Sequence, residues 1–235
     1  MDDKPEAAPD SYAPAARSTL VRRPLRGRYD KAGVHAVLDA GLICHVGYVV
    51  DGRPVVTPTM YWREGERVYW HGARDSRPIQ AAQQGVCFTV SLIDGLVLAR
   101  SAFKHSVNYR AVMAFGEARL VIDKERKLGA LRGMIERLYP GRWASIRPPS
   151  PTELAAVSVV SLELRDVSAK IRDDPPLDSE ADLKLPVWAG VLPLALQAGE
   201  PVPCARLAAG VGFPALLREW RPSLDVQEPF SWLER

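Results

Sequence analysis

The residues best suited to chemistry lie between Val55 and Gln84. Asp75-Ser76 reads as a helix cap, and Pro78 falls in the first turn, where a missing N–H does no harm. Free amides at a helix start, flanked by Arg74 and Arg77, suit a phosphate. The same stretch also fits an ordinary hairpin followed by a helix. Other chemistries lack their residues. There is no Gly-x-Ser-x-Gly elbow, no P-loop and no His-Glu-x-x-His. His35, His45, His71 and His105 have no metal-ligand spacing, so no metal site is expected. Paired carboxylates in a plausible site are missing as well. Acid–base catalysis by protein groups alone is poorly supported, which makes a cofactor attractive. Gly210-Val211-Gly212-Phe213-Pro214-Ala215 imitates a dinucleotide fingerprint, but no strand precedes it and Pro214 stands where the helix should begin.

The elements around these residues are mostly strands. Val55 to Trp62 is rich in β-branched and aromatic residues, Glu64-Gly65-Glu66 supplies a turn, and Arg67 to His71 returns. Pro58 cannot donate to a ladder, so its strand is an edge or lines a cavity. Before it, Tyr29-Asp30 opens a helix to Ala40 with Val34, Val37 and Leu38 on one face and His35 packed near them; Gly41 closes it. LICHVGYVV follows as a strand, with Asp51-Gly52 as a hairpin turn. Cys44 and His45 are adjacent and point to opposite faces. VCFTVSLID is another strand, and Gly95 turns the chain into LVLARS.

Tyr109 to Ile122 is the longest strand signal. One face is small and apolar (Val112, Ala114, Gly116, Ala118) with Arg110 at its entrance. That face could admit a flat ligand, or Gly116 could mark a bulge. A helix from Asp123 to Leu138 carries a core stripe, and a Pro-rich turn leads to a long final strand, about Ala155 to Arg172. Many closely spaced strands with few helices favour a small barrel with helical decorations.

Composition narrows the partners. Among 235 residues, 31 basic against 28 acidic give a net charge of only +3, which argues against nucleic acid and anionic membranes. Three cysteines without metal spacing read as reduced, buried thiols. The acidic, Pro/Ala-rich start is not a secretory signal, and VWAGVLPLAL is short and broken by Pro193. A cytoplasmic protein that spans no membrane is expected. The chain divides into a disordered arm (1–20), a barrel domain (21–172), and a linker with a C-terminal extension packed on the barrel (173–235). Arg22, Arg23, Arg26 and Arg28 form a basic stretch that is either solvated or lies across an anionic ligand or partner subunit.

Taken together, TPTMYW (57–62), VYWHGARDSR (68–77) and HSVNYRAVMAFGEARLV (105–121) resemble the FMN-binding split-barrel superfamily, which includes the pyridoxamine 5'-phosphate oxidases. The nearer likeness is to its flavin-nucleotide-binding branch, related to nitroimidazole-resistance reductases. The resemblance implies a mainly β split barrel with a few peripheral helices, and FMN held at the interface of a homodimer. It places Thr57, Pro58, Thr59, Met60 and Tyr61 along the isoalloxazine edge, with Trp70 and His71 near the ring and ribityl chain. Ser76, Arg77 and Arg74 would hold the phosphate, and Tyr109 and Arg110 would close the pocket. His71 would be the catalytic residue on the substrate side. Relatives often carry a second basic residue after the one matching Arg77, where this chain has Pro78, so a deazaflavin or haem are alternative cofactors. The implied function is an FMN-dependent oxidoreductase acting on a small organic substrate. The alternative is a flavin- or haem-binding carrier or sensor without turnover. The chain ends SWLER and lacks the basic clamp of true pyridoxamine phosphate oxidases.

Overall fold

The computed structural model describes residues 10–218 and residue 220. Strand β1 (Gly27–Arg28) precedes helix α1 (Lys31–Ala40), whose start Asp30 caps by accepting from the Gly33 amide. Strand β2 (Ile43–Val50) turns through Asp51 and Gly52, both left-handed at φ 50° and 73°, into β3 (Arg53–Glu64). That is the geometry an Asp-Gly pair favours between twisted strands. Next come β4 (Arg67–Ala73), the short helix α2 (Arg77–Ala81), β5 (Val86–Leu98), β6 (Ser106–Gly116) and β7 (Arg119–Leu120). Helices α3 (Lys124–Leu138) and α4 (Pro151–Ala156) lead to β8 (Val157–Glu163), β9 (Asp166–Arg172) and finally β10 (Gly190–Pro193).

All these strands join one antiparallel sheet in the order β1-β9-β6-β5-β2-β3-β4-β8-β7, with β10 added to β5. The fold is a mainly β split barrel with few helices. Its inner face holds the main core, including Tyr61, Trp70, Phe88, Val90, Val112, Ala114 and Leu162. A second, smaller cluster lies on the opposite face of β3, β4 and β8, where Trp62 and Val159 meet Ala130 and Leu131 of α3.

Three expectations are corrected. The strand expected at 109–122 breaks at Gly116, and its small apolar face packs into the main core, leaving no slot for a flat ligand. The single final strand is a hairpin, turned between β8 and β9 where Leu164 buries and its amide bonds to the Glu66 carbonyl. Gly95 does not end a strand. It lies in β5 just past a bulge, where a Cβ would meet Val191 at 2.8 Å, so the glycine lets β10 lie close.

The chain ends are tied in unequally. Residues 1–9 of the expected arm lie outside the described residues, but from Asp10 the chain is held. Tyr12 is buried, its hydroxyl donating to Glu66 at 2.7 Å and 2.9 Å from His35 Nε2. At the other end, buried Asn108 accepts from the Arg172 guanidinium and the Asp174 amide and donates to the Asp174 carbonyl. Asp178 pairs with Arg100 at 2.8 Å. These contacts fix where the chain leaves β9. Replacing Asn108 by Ala would remove one acceptor of the buried Arg172 guanidinium and the acceptor of the Asp174 amide, and a loss of about 1–3 kcal/mol is expected, read as a Tm lowered by roughly 2–4 °C per kcal/mol. An unchanged Tm would show that the clamp contributes nothing.

Candidate functional site

The opening in this barrel arises where β3 parts from β4. β3 pairs with β2 from Arg53 to Met60, but with β4 only from Tyr61 to Glu64. Residues 53–60 therefore have one free edge, as Pro58 requires, since its nitrogen cannot donate to a neighbour. Strand alternation then sorts the side chains. Pro58 and Met60 share the outer face with Trp62, and His71 lies on the outer face of β4 with Tyr69.

The inner-facing candidates do other work. Tyr61 and Trp70 are 1% and 2% exposed and belong to the main core; the Tyr61 hydroxyl donates to the Leu38 carbonyl. Thr57 bonds Tyr48 at 2.7 Å, hydroxyl to hydroxyl, and the Thr59 carbonyl accepts from the Cys44 thiol. Burial pushes that thiol up to about 12. Cys204 departs from the expected buried thiols by being exposed. Along this edge Thr57 and Thr59 can offer a ligand main-chain groups, whereas Tyr61 is already paired with Trp70 of β4.

At the end of β4 the chain rises into α2. The Arg74 amide donates to Ala156 O at 3.0 Å, tying β4 to the last residue of α4. Lys127 of α3 donates to Leu154 O at 2.6 Å, so α4 draws both cations to one place. Burial, then the Arg74 charge, lowers the Lys127 ammonium below its ordinary range. The Arg74 and Arg77 guanidiniums make no hydrogen bond or ion pair among the described residues. Ser76 stands at the helix start without using its hydroxyl as a cap, 3.3 Å from where a Gly72 Cβ would stand. With α2 only five residues long, the cations outweigh any helix dipole here. Asp75 of the same loop makes no ion pair with these cations among the described residues, and like charges drawn together favour an anion.

His71 lies on β4, three positions before Arg74. Its ring centroid is 6.3 Å from that of Trp62, and its Nδ1 is buried with no hydrogen-bond partner among the described residues. Burial alone lowers its pKa, so the imidazole is neutral at neutral pH.

The structure does not bring Tyr109 and Arg110 here. β6 lies beyond β5, β2 and β3 from β4. The Arg110 guanidinium is engaged by Asp94 in a two-point pair at 2.8 and 3.0 Å. Sequence reasoning missed Lys127, some fifty positions from Arg77. It also missed α4, although Ser150-Pro151-Thr152-Glu153 is a capping-box signature and both of its reciprocal bonds form.

With this geometry in view, the comparisons assign the chain. The family model described as pyridoxamine 5'-phosphate oxidase matches residues 30–171, and the chain belongs to that family, within the FMN-binding split-barrel superfamily. Among solved structures it is similar to the flavocytochrome Anf3 from Azotobacter vinelandii, at 43% identity over 89% of this chain and 99% of that chain, with a TM-score of 0.85. It is also similar to the FAD and haem binding protein from Mycobacterium smegmatis, at 32% identity over 82% and 96% of the two chains, with a TM-score of 0.79. A Bacteroides thetaiotaomicron chain named for 5-nitroimidazole antibiotic resistance shares the fold at 22% identity, covering 62% of this chain and 86% of that chain, with a TM-score of 0.53. Among curated proteins no sequence matches. No helix among the described residues is long and apolar enough to cross a membrane.

A neutral His71 has a measurable signature. The folded state resists its protonation, so stability is complete above the unfolded value near 6.5 and falls as pH drops through that value. An NMR titration is expected to place the His71 midpoint below 6.5, and His71→Gln to flatten part of the acid-side loss. A midpoint above 6.5 would reverse the assignment.

Proposed function

We propose that the protein is a flavin- and haem-binding redox protein, active as a homodimer. The observation that carries this reading is the 43% identity with the flavocytochrome, which extends well past the family's own span of 30–171. Arg74, Ser76, Arg77 and Lys127 fit a nucleotide phosphate, because their cations are tied up in no ion pair among the described residues. The free edge of β3 between Thr57 and Met60 offers main-chain groups to the rim of an isoalloxazine. When bound, a flavin supplies two-electron and one-electron transfer, and a haem one-electron transfer.

His71 is the histidine suited to iron. Ligation needs a neutral imidazole in apolar surroundings, and His71 has both, lying against Trp62. The other histidines fit less well. His35 is engaged by Tyr12 and Glu66, the Nδ1 of His105 bonds Ser101 O at 3.0 Å on an exposed loop, and His45 is open to solvent. The dimer reading draws support from the outer sheet face, where Ile43, Val56, Ile93 and Met113 stand uncovered. A second copy would also bring Tyr109 to the flavin that its own strand order keeps it from. Haem, expected as an alternative to FMN, is read here as accompanying a flavin nucleotide, a reading supported by the 32% identity with the relative named for FAD and haem.

The test is the purified protein's absorbance spectrum, with extraction and mass identification of what it holds. A flavin band together with a Soret band is expected; a colourless protein that takes up neither group contradicts the reading. Arg77→Ala is expected to weaken flavin binding about tenfold or more, the cost of one charge-assisted contact at about 1.5–3 kcal/mol. His71→Ala is expected to change the Soret band and leave the flavin in place. An unaltered titration with Arg77→Ala would move the phosphate elsewhere.

A further inference from the structure

We infer that residues 195–213 form an arm that seats on a second copy of this chain. The inference rests on the homodimer proposed above and adds a part that no barrel contact accounts for. Both ends of the segment are fastened, the first to β5 and the second to α3. The Leu194 amide donates to Asp94 O of β5 at 3.0 Å, directly after β10 pairs with that strand. Trp220 Nε1 donates to Leu138 O, the last residue of α3, at 2.7 Å. Arg137 of α3 in turn donates to Asp39 O of α1, and two residues after α1 the chain enters β2, the strand beside β5.

Between these fastenings the chain takes a long detour. Nineteen residues lie between Leu194 and Pro214. Every residue from 195 to 213 is exposed in the single protomer. Two turns, Leu207 N to Cys204 O and Val211 N to Ala208 O, fold the segment midway, so it leaves the barrel and returns.

Its composition does not suit water. The stretch carries only two charged side chains, Glu200 and Arg206. Leu196, Val202, Leu207, Val211 and Phe213 stand 59%, 92%, 45%, 54% and 42% exposed. A chain held at both ends has already lost much of its freedom, so the remaining cost of ordering it on a partner is reduced. The outer sheet face is uncovered in the same protomer and is apolar as well. One copy therefore carries two unmatched apolar surfaces that do not cover each other, and a two-fold axis would let each arm lie on the other protomer.

Cys204 sits at the first of the two turns and is exposed, which makes it a natural probe. Label the full-length protein at Cys204 with a benzophenone maleimide, irradiate it, and run a denaturing gel, with light scattering on the unirradiated sample. The expected result is a dimer in solution and a covalent dimer on the gel, with peptide mapping joining the 195–213 stretch to another chain; Cys204→Ser, treated identically, should lose that band. A second measurement uses Leu207→Asp in the full chain, which is expected to raise the dimer's Kd at least tenfold while the circular dichroism spectrum is preserved. A dimer whose Cys204 probe links only within its own chain, or whose Kd ignores Leu207→Asp, would overturn the arm and leave the dimer standing. A monomer would overturn both.

Discussion

The site depends on one divergence. β3 keeps its hydrogen bonds to β2 down to Arg53, yet abandons β4 beyond Tyr61. Were the two strands paired throughout, the main-chain groups at 57–60 would be spent on the ladder and Met60 would face a continuous sheet. Pro58 makes full pairing unfavourable, because a sheet interior has no use for a residue without an N–H. The partner strand β4 binds β8 instead, from Arg67 through Ala73, so it remains rigid to its end. A rigid strand next to a free edge lets the loop after Ala73 present Arg74, Ser76 and Arg77 in a defined place.

Around that opening the second cluster acts as a buttress. Trp62 stacks on Tyr69 with ring centroids 5.6 Å apart, and both lie under α3. Helix α4 then joins the pieces through two carbonyls, Ala156 O to the Arg74 amide and Leu154 O to Lys127. The positive charge at this corner therefore comes from two stretches distant in sequence, the 74–77 loop and Lys127 of α3. Holding unpaired cations together costs stability when no anion is present. Functional corners commonly carry such a cost.

Much of this was legible in the sequence. Asp51-Gly52 fixed a hairpin, Glu64-Gly65-Glu66 ended β3 where the structure ends it, and Asp30 with Gly41 bounded α1. Pro58 announced a free edge from its missing donor. What stayed hidden depends on long-range pairing. Alternation along β6 is the same whether its small residues face a ligand or Phe88, and only the sheet order settles it for the core. Arg110 read as a free charge because nothing local says that Asp94, sixteen positions earlier, will reach it. The β8–β9 turn lacks Gly, Pro and Asn, so it left no local sign. Lys127 looked like an ordinary surface residue on a helix, and becomes part of the corner only through α4.

The central claim is that an anion rests at the Arg74–Arg77 corner with a planar ring along the free edge of β3. Hydrogen exchange, followed amide by amide with and without added flavin nucleotide, tests it most directly. Slowed exchange at Val56, Met60 and residues 74–77 together, with the core strands unchanged, is the result this account predicts. Protection confined to other parts of the barrel, with those amides exchanging as before, would contradict it.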